Sequence, residues 1–256
     1  PKGIGKATLA YRFARFVLAH PDPSTTGAAN DLSVAADNPA FRKVANRAHP
    51  NLLVLERPYD EQKKRFSTEL TVPEIRKTVS FFGSTSGEAG WRIAIVDPAD
   101  DMNQSSANAL LKALEEPPAR ALFLIVSHAP GRLLPTIRSR CRRLDVPPLT
   151  SAAIAAALGS HGDADPEAAL IAALAEGSLR RAITLLDGGG TETYRSLTAL
   201  LATLPDLDMD AAHAFADRVS GRGNEEAWLG FSDMLSAWLN RRVRGEKEPD
   251  SAAEPP

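Results

Sequence analysis

GIGKATLAYRFARFVLA, residues 3–19, is a glycine turn that runs directly into a stretch with apolar residues at helical spacing, Leu9, Phe13, Phe16 and Val17. The pattern GxxxxGK[ST] wraps phosphate in backbone amides, sends its lysine to the β- and γ-phosphates and offers a hydroxyl to magnesium. Gly3, Gly5 and Lys6 form such a loop, and the helix it feeds should stop before Pro21. The hydroxyl position, however, is Ala7, and Thr8 lies about 100° further round the helix. A methyl group holds no metal, so the loop can cradle phosphate only without its usual magnesium ligand. The pattern's first glycine falls one position ahead of Pro1, which reads as a fragment that begins inside the motif and lacks the strand before it.

An ATPase built on this loop also needs an acid at the end of a buried strand. WRIAIVD, residues 91–97, supplies an apolar run of the kind found at the centre of a parallel sheet, ending in Asp97. The next position, where such enzymes place a water-activating glutamate, is Pro98, which neither accepts a proton nor orients water. Asp100 and Asp101 stand nearby in sequence, but moving a base by a helical turn is not a neutral change. Alteration at both Ala7 and Pro98 points to a chain that has given up hydrolysis.

The remaining segments fit an α/β domain followed by helices. NLLVLE (51–56) and ALFLIVSHAP (121–130) read as buried strands, and CRRLDVPPL (141–149) as a last one. NQSSANALLKALEEPP (103–118) reads as a helix with Ala107, Leu110, Leu111 and Leu114 on one face. Thr71 and Glu74 predict a capping box with Pro73 in the first turn. Residues 21–48 read as a surface excursion, and RPYDEQKKRFSTEL (57–70) as a charged loop or hairpin. Its EQKKRF segment is a candidate DNA contact, although a solvated hairpin is the simpler reading. Beyond residue 150 the strand signal ends. Asp165 and Ser178 predict the caps of two short helices, Gly188–Gly190 a flexible joint, and Asn224 the cap of a long final helix with Trp228, Phe231, Leu235, Trp238 and Leu239 on its apolar face.

Composition excludes several classes of function. The 256 residues carry 30 basic and 32 acidic side chains, so net charge advertises neither nucleic acid nor membrane. No run reaches the roughly 20 apolar residues of a membrane helix, and no signal peptide is visible, which makes a cytoplasmic location the expectation. A single cysteine, Cys141, rules out an internal disulfide and a multi-cysteine zinc site, and no metal site is expected. No carboxylate pair suited to nucleotide polymerisation is recognisable.

SSANALLKALEEPP (105–118), RLLPTIRSRC (132–141) and EGSLRRAITLL (176–186) complete a pattern that resembles the clamp-loader branch of the AAA+ superfamily, the branch that serves bacterial DNA polymerase III. The resemblance covers residues 1–190 and implies an α/β P-loop domain with a parallel sheet over 1–149, without its first strand, and a helical lid over 150–190. Position and composition then suggest a partial helical collar domain over 191–245 and a disordered tail over 246–256. It makes Arg140, positioned by Ser139 and Cys141, an arginine finger for ATP held by a neighbouring subunit, and it puts Arg180 at the second sensor and Ser127 or His128 at the first. Gly3, Gly5, Lys6, Asp97 and Arg180 would form a degenerate nucleotide site.

The chain itself would require no cofactor, with ATP and magnesium bound by partner subunits. The implied partners are gamma/tau-type and delta subunits and, through the assembly, a sliding clamp and primed DNA. Against this stand two alternatives, an ATP-hydrolysing gamma/tau-type motor and a P-loop scaffold outside replication. The bland reading of Arg138, Arg140, Arg142 and Arg143 is a solvated basic face, and of Cys141 a small buried side chain. One departure from the family pattern is the absence of a four-cysteine zinc module ahead of HPNLLVL (49–55).

Overall fold

The computed structural model describes residues 2–26, 31–84, 90–159, 166–220 and 225–245. The predicted caps Asp165 and Asn224 and the tail 246–256 lie outside them. The chain divides into two compact units, one of residues 5–145 and one that joins the first four residues to the segment from Val146 onward.

The first unit begins with α1 (Lys6–Ala19), α2 (Pro39–Ala45) and strand β1 (Leu52–Leu55), followed by a small hairpin, β2 (Tyr59–Asp60) and β3 (Arg65–Phe66). It continues through α3 (Val72–Gly83), β4 (Arg92–Val96), α4 (Gln104–Glu115), β5 (Ala121–Ile125) and α5 (Pro135–Ser139). Strands β1, β4 and β5 form a parallel sheet in that order, with Leu52 opposite Ile93 and Ile93 opposite Leu122. Both faces are covered, which is why the strands read as continuous apolar runs. Leu52, Ile93, Ile95 and Val126 pack with Ala10, Ala14 and Val44 from α1 and α2. Leu55 and Val96 pack on the other side with Ile75, Ala107, Leu110 and Ile137 from α3, α4 and α5.

Local chemistry accounts for both the agreements and the departures. In α1 the buried positions are Ala10 and Ala14, whereas Phe13 is 37% exposed. Small side chains face the sheet and let the helix approach closely, so the apolar stripe is offset from the expected Leu9–Phe13 line. The segment 21–48 is more than an excursion: Asn38 caps α2 by accepting the Ala40 amide at 2.8 Å, Pro39 starts the helix, and Ala40 and Val44 are buried. The capping box at α3 does not form, because Thr71 makes no side-chain cap and Glu74 instead binds Lys77 at 2.6 Å. The strand expected over 141–149 is absent among the described strands. Pro147 and Pro148 remove two ladder donors, and Arg142, Arg143, Leu144 and Asp145 are exposed.

The second unit is helical: α6 (Ser151–Ala157), α7 (Pro166–Leu174), α8 (Leu179–Asp187), α9 (Gly190–Ala202), α10 (Met209–Val219) and α11 (Glu225–Arg244). Ser178 caps α8 through the Arg181 amide, as its sequence position predicts. One apolar cluster collects Ile154, Ile171, Leu174, Ala182, Tyr194, Leu197, Phe215 and Met234 from all six helices. The glycines at 188–190 form a tight turn rather than a flexible joint, with Gly189 in the left-handed region and Gly190 buried against Leu185. On α11, Phe231 and Leu235 pack on this cluster, while Trp228 and Leu239 are exposed. Among the described residues no helix is long and apolar enough to cross a membrane, and no cluster of His, Cys, Asp and Glu could hold a metal ion.

Candidate functional site

In a parallel sheet, ligands gather at the carboxyl ends of the strands. Glu56 follows β1, Asp97 follows β4, and Ser127 and His128 follow β5 after Val126, so the three strand ends form one edge. Adjacent backbone hydrogen bonds hold it in register, Asp97 N donating to Leu55 O at 3.0 Å and Val126 N to Val96 O at 2.9 Å.

At the start of α1, Gly5 adopts φ 91° and offers no side-chain cap, the turn that sets a helix N-terminus toward the sheet edge. Lys6 is the first helical residue. Partial burial lowers its pKa, while the Asp100 and Asp97 carboxylates oppose that shift and mark Lys6 as their electrostatic partner. Asp97 is half-buried, and burial raises its carboxyl pKa; His128 and Arg47 pull the other way, and the Glu56 and Asp101 carboxylates add to the rise. Arg47, in the loop after α2, pairs with Glu56 and lies over the Tyr11 ring at 5.9 Å. The donors suit a phosphate cradle. They suit magnesium poorly, since Ala7 brings a methyl group to the hydroxyl position and Glu56, Asp100 and Asp101 are engaged with cations and amides of the protein.

Asp100 is the most committed of these acids. Its carboxylate accepts the His128 amide at 2.6 Å, the Ala129 amide at 2.9 Å and the Ser127 hydroxyl at 2.9 Å. Burial alone would raise its pKa, but these hydrogen bonds and His128 outweigh it and hold the carboxyl below its ordinary value. Asp101 pairs with Arg57 at 2.9 Å. The two acids downstream of Pro98 therefore tie the sheet edge to its loops. Ser127, a candidate first sensor, spends its hydroxyl proton on Asp100.

Arg140 closes α5 and is exposed. Its guanidinium binds Glu115 Oε1 at 2.8 Å and donates to Thr136 O at 3.0 Å. The neighbours in the SRC triplet fix the turn: Ser139 Oγ donates to Thr136 O at 3.0 Å, and Cys141 packs against the core beneath α3, α4 and α5. Burial pushes the Cys141 thiol pKa up, which disfavours the reactive thiolate and fits a partly buried packing side chain.

In the helical unit, Gly3 and Arg180 come together. The Arg180 amide donates to Gly3 O at 3.3 Å, and a Cβ on Gly3 would stand 2.2 Å from Ser178 Oγ, so only glycine fits this approach. Both line a cavity of about 470 Å³ with Lys2, Ser178, Arg181 and Asp233. Gly5, Lys6 and Asp97 belong to the other unit, and so does Arg140.

Three contributors escaped the sequence reading. Glu56 carried a usable signal, an acid ending an apolar strand as Asp97 does. Arg47 and Glu115 carried none, since one sits in an irregular loop and the other in a charged helix end.

A parallel sheet covered on both faces, a glycine-capped first helix carrying Lys6, an acid ending the central strand and a following helical region define the chain as an AAA+ α/β protein. The sequence model of the family described as "DNA polymerase III, delta subunit" matches residues 1–150. The delta-prime subunit of DNA polymerase III from Pseudomonas aeruginosa is 38% identical over 141 residues, covering 55% of this chain and 39% of that protein. The Escherichia coli delta-prime subunit is 32% identical over 205 residues, covering 78% of this chain and 56% of that protein. The tau subunit from Bacillus subtilis is 34% identical over 193 residues, covering 73% and 31%. The chain belongs to this family of DNA polymerase III clamp-loader-type subunits, with the delta-prime kind. It aligns with between 31% and 56% of the length of these three relatives.

Proposed function

We propose that the chain is a non-hydrolysing clamp-loader subunit of a DNA polymerase III holoenzyme, giving Arg140 in trans to ATP held by a neighbouring gamma/tau-type subunit. Its further partners would be a delta subunit and, through the assembly, the sliding clamp and primed DNA in the cytoplasm. Residues 150–190 would act as the lid and 191–245 as part of the collar. The observation that carries this reading is the fate of the acids behind Pro98: Asp100 is held by the Ser127–Ala129 loop and Asp101 by Arg57, which leaves neither to activate water. Gly5, Lys6 and Asp97 of the first unit then form at most a metal-free phosphate cradle, and ATP and magnesium belong to the partners.

An exposed arginine at a helix end is the chemistry that phosphoryl transfer uses across an interface, where a finger contributes about 10³- to 10⁵-fold in rate. The test is ATP turnover by a reconstituted loader containing full-length protein or its Arg140→Ala variant, with assembly checked separately. The expected result is loss of turnover at the adjoining site in an intact assembly; an unchanged rate removes the finger role.

The tau relatives favour a second reading, a hydrolysing gamma/tau-type motor. Ala7 and Pro98 stand against it. Magnesium-dependent turnover by the isolated full-length protein would establish it.

A further inference from the structure

We propose that the β2–β3 hairpin is a contact for single-stranded DNA, an aromatic stacking platform edged by cations. Tyr59 and Phe66 are direct cross-strand partners, their rings edge to face with centroids 5.2 Å apart. Tyr59 is 47% and Phe66 58% exposed, and neither belongs to an apolar core of the unit. The two rings support one another, as cross-strand aromatics do, yet keep open surface that a base can cover.

A two-stranded hairpin is marginal alone, but this one is mounted. Ser67 N donates to Pro58 O at 2.8 Å across its root, and Arg57 ties that root to Asp101 at 2.9 Å. The platform is therefore fixed to the same sheet edge that carries Asp97.

Charge chooses the occupant. Residues 57–66 hold four cations, Arg57, Lys63, Lys64 and Arg65, against the two acids Asp60 and Glu61. Asp60 is largely spent on the turn, where it accepts the Gln62 and Lys63 amides at 3.0 and 3.1 Å and lies 3.5 Å from Lys63 Nζ. Lys64 and Arg65 form no ion pair among the described residues. Protein–protein interface cores favour aromatics but are depleted in lysine, and here Lys63 and Lys64 lie beside the rings. Aromatic rings flanked by consecutive cations are the combination that pairs base stacking with phosphate neutralisation. The choice of DNA over RNA rests on the reading under Proposed function; the stacking chemistry does not.

The test is fluorescence anisotropy of a labelled 20-nucleotide dT oligomer titrated with the isolated full-length protein from about 50 to 200 mM salt. Tyr59→Ala with Phe66→Ala is expected to weaken binding about tenfold or more, and Tyr59→Trp with Phe66→Trp to retain it. Lys63→Gln with Lys64→Gln should lower the slope of log affinity against log salt by about 1.4. Absence of binding by the unaltered protein, or alanine and glutamine variants that bind within twofold of it, overturns the proposal. Because no partner subunit is present, failure here is separate from failure of the Arg140 experiment.

Discussion

Glu115 and Arg140 meet at 2.8 Å across the ends of α4 and α5, joining the last residue of one helix to the residue that closes the other. Both side chains are partly exposed, so the pair contributes no more than about 1 kcal/mol to folding. Its value lies in direction: with Thr136 O it engages two edges of the guanidinium and restricts where the rest of the fork points. Glu115→Ala is predicted to leave the melting temperature of the full-length protein almost unchanged. If Arg140 acts as the proposed finger, stimulated turnover of the reconstituted loader falls about tenfold, because misdirection of such a group is costly in a positioning reaction. Glu115→Gln, which can still accept from Arg140, should recover most of the rate; equal losses for both variants would exclude a positioning role.

Asp100 joins the residues after β4 to the loop after β5 through three hydrogen bonds. Asp100→Ala leaves two backbone amides without their acceptor and should destabilise the fold by about 2 kcal/mol, measured by urea denaturation at pH 7. The folded carboxyl is held below its unfolded pKa, so this contribution is present above the ordinary carboxylate value and is lost as pH falls through the folded value. The difference between the two proteins should therefore shrink as the pH is brought well below 4. A constant difference would assign the effect to packing.

Asp97 carries the opposite sign. Its folded pKa is raised, chiefly by burial, so the protonated form is the one the fold prefers. The stabilisation is present below the unfolded carboxylate pKa and is lost as pH rises through the folded value. Asp97→Asn should accordingly stabilise the protein at pH 7, by less than about 1 kcal/mol for a side chain this accessible to solvent, and give no such gain at pH 3. Destabilisation at pH 7 would show that the ionised carboxylate is anchored by Lys6 or Arg47 more strongly than burial opposes it.

The parts legible in the sequence were those in which one physical effect dominated. IAIV and LFLI had no polar face to expose and so had to lie inside a covered sheet, and Ser178 preceded α8 with nothing to compete for its hydroxyl. The misreadings arose where tertiary packing chose between local options. In α1 the alanines, not the phenylalanines, face the sheet, because close approach of helix to strands is worth more than the largest side chain's burial. Thr71 and Glu74 had the spacing of a capping box, but Lys77 took the glutamate. Of the site, Lys6 and Asp97 were visible as types at a spacing. The commitment of Asp100 to the Ser127–Ala129 loop is a contact across 27 to 29 residues, which no local pattern encodes.

Gly190 marks another place where composition misleads. A glycine triplet suggests slack, yet a Cβ at Gly190 would stand 2.6 Å from Leu185 Cδ2, 2.9 Å from Leu185 O and 3.0 Å from Leu185 Cα. Two of those atoms are backbone, so a rotamer change cannot relieve the clash, and α9 would have to move away from α8. That shift would disturb the cluster in which Leu185, Tyr194 and Leu197 are buried together. Gly190→Ala is therefore predicted to destabilise the protein by about 1 to 3 kcal/mol. Gly189→Ala has open space around its Cβ and suffers only from its left-handed backbone, φ 62°, at a cost of about 1 kcal/mol. Thermal denaturation of the two variants decides the matter: a larger loss at 190 than at 189 is the signature of a packed turn, whereas equal and small losses would return the segment to a flexible joint.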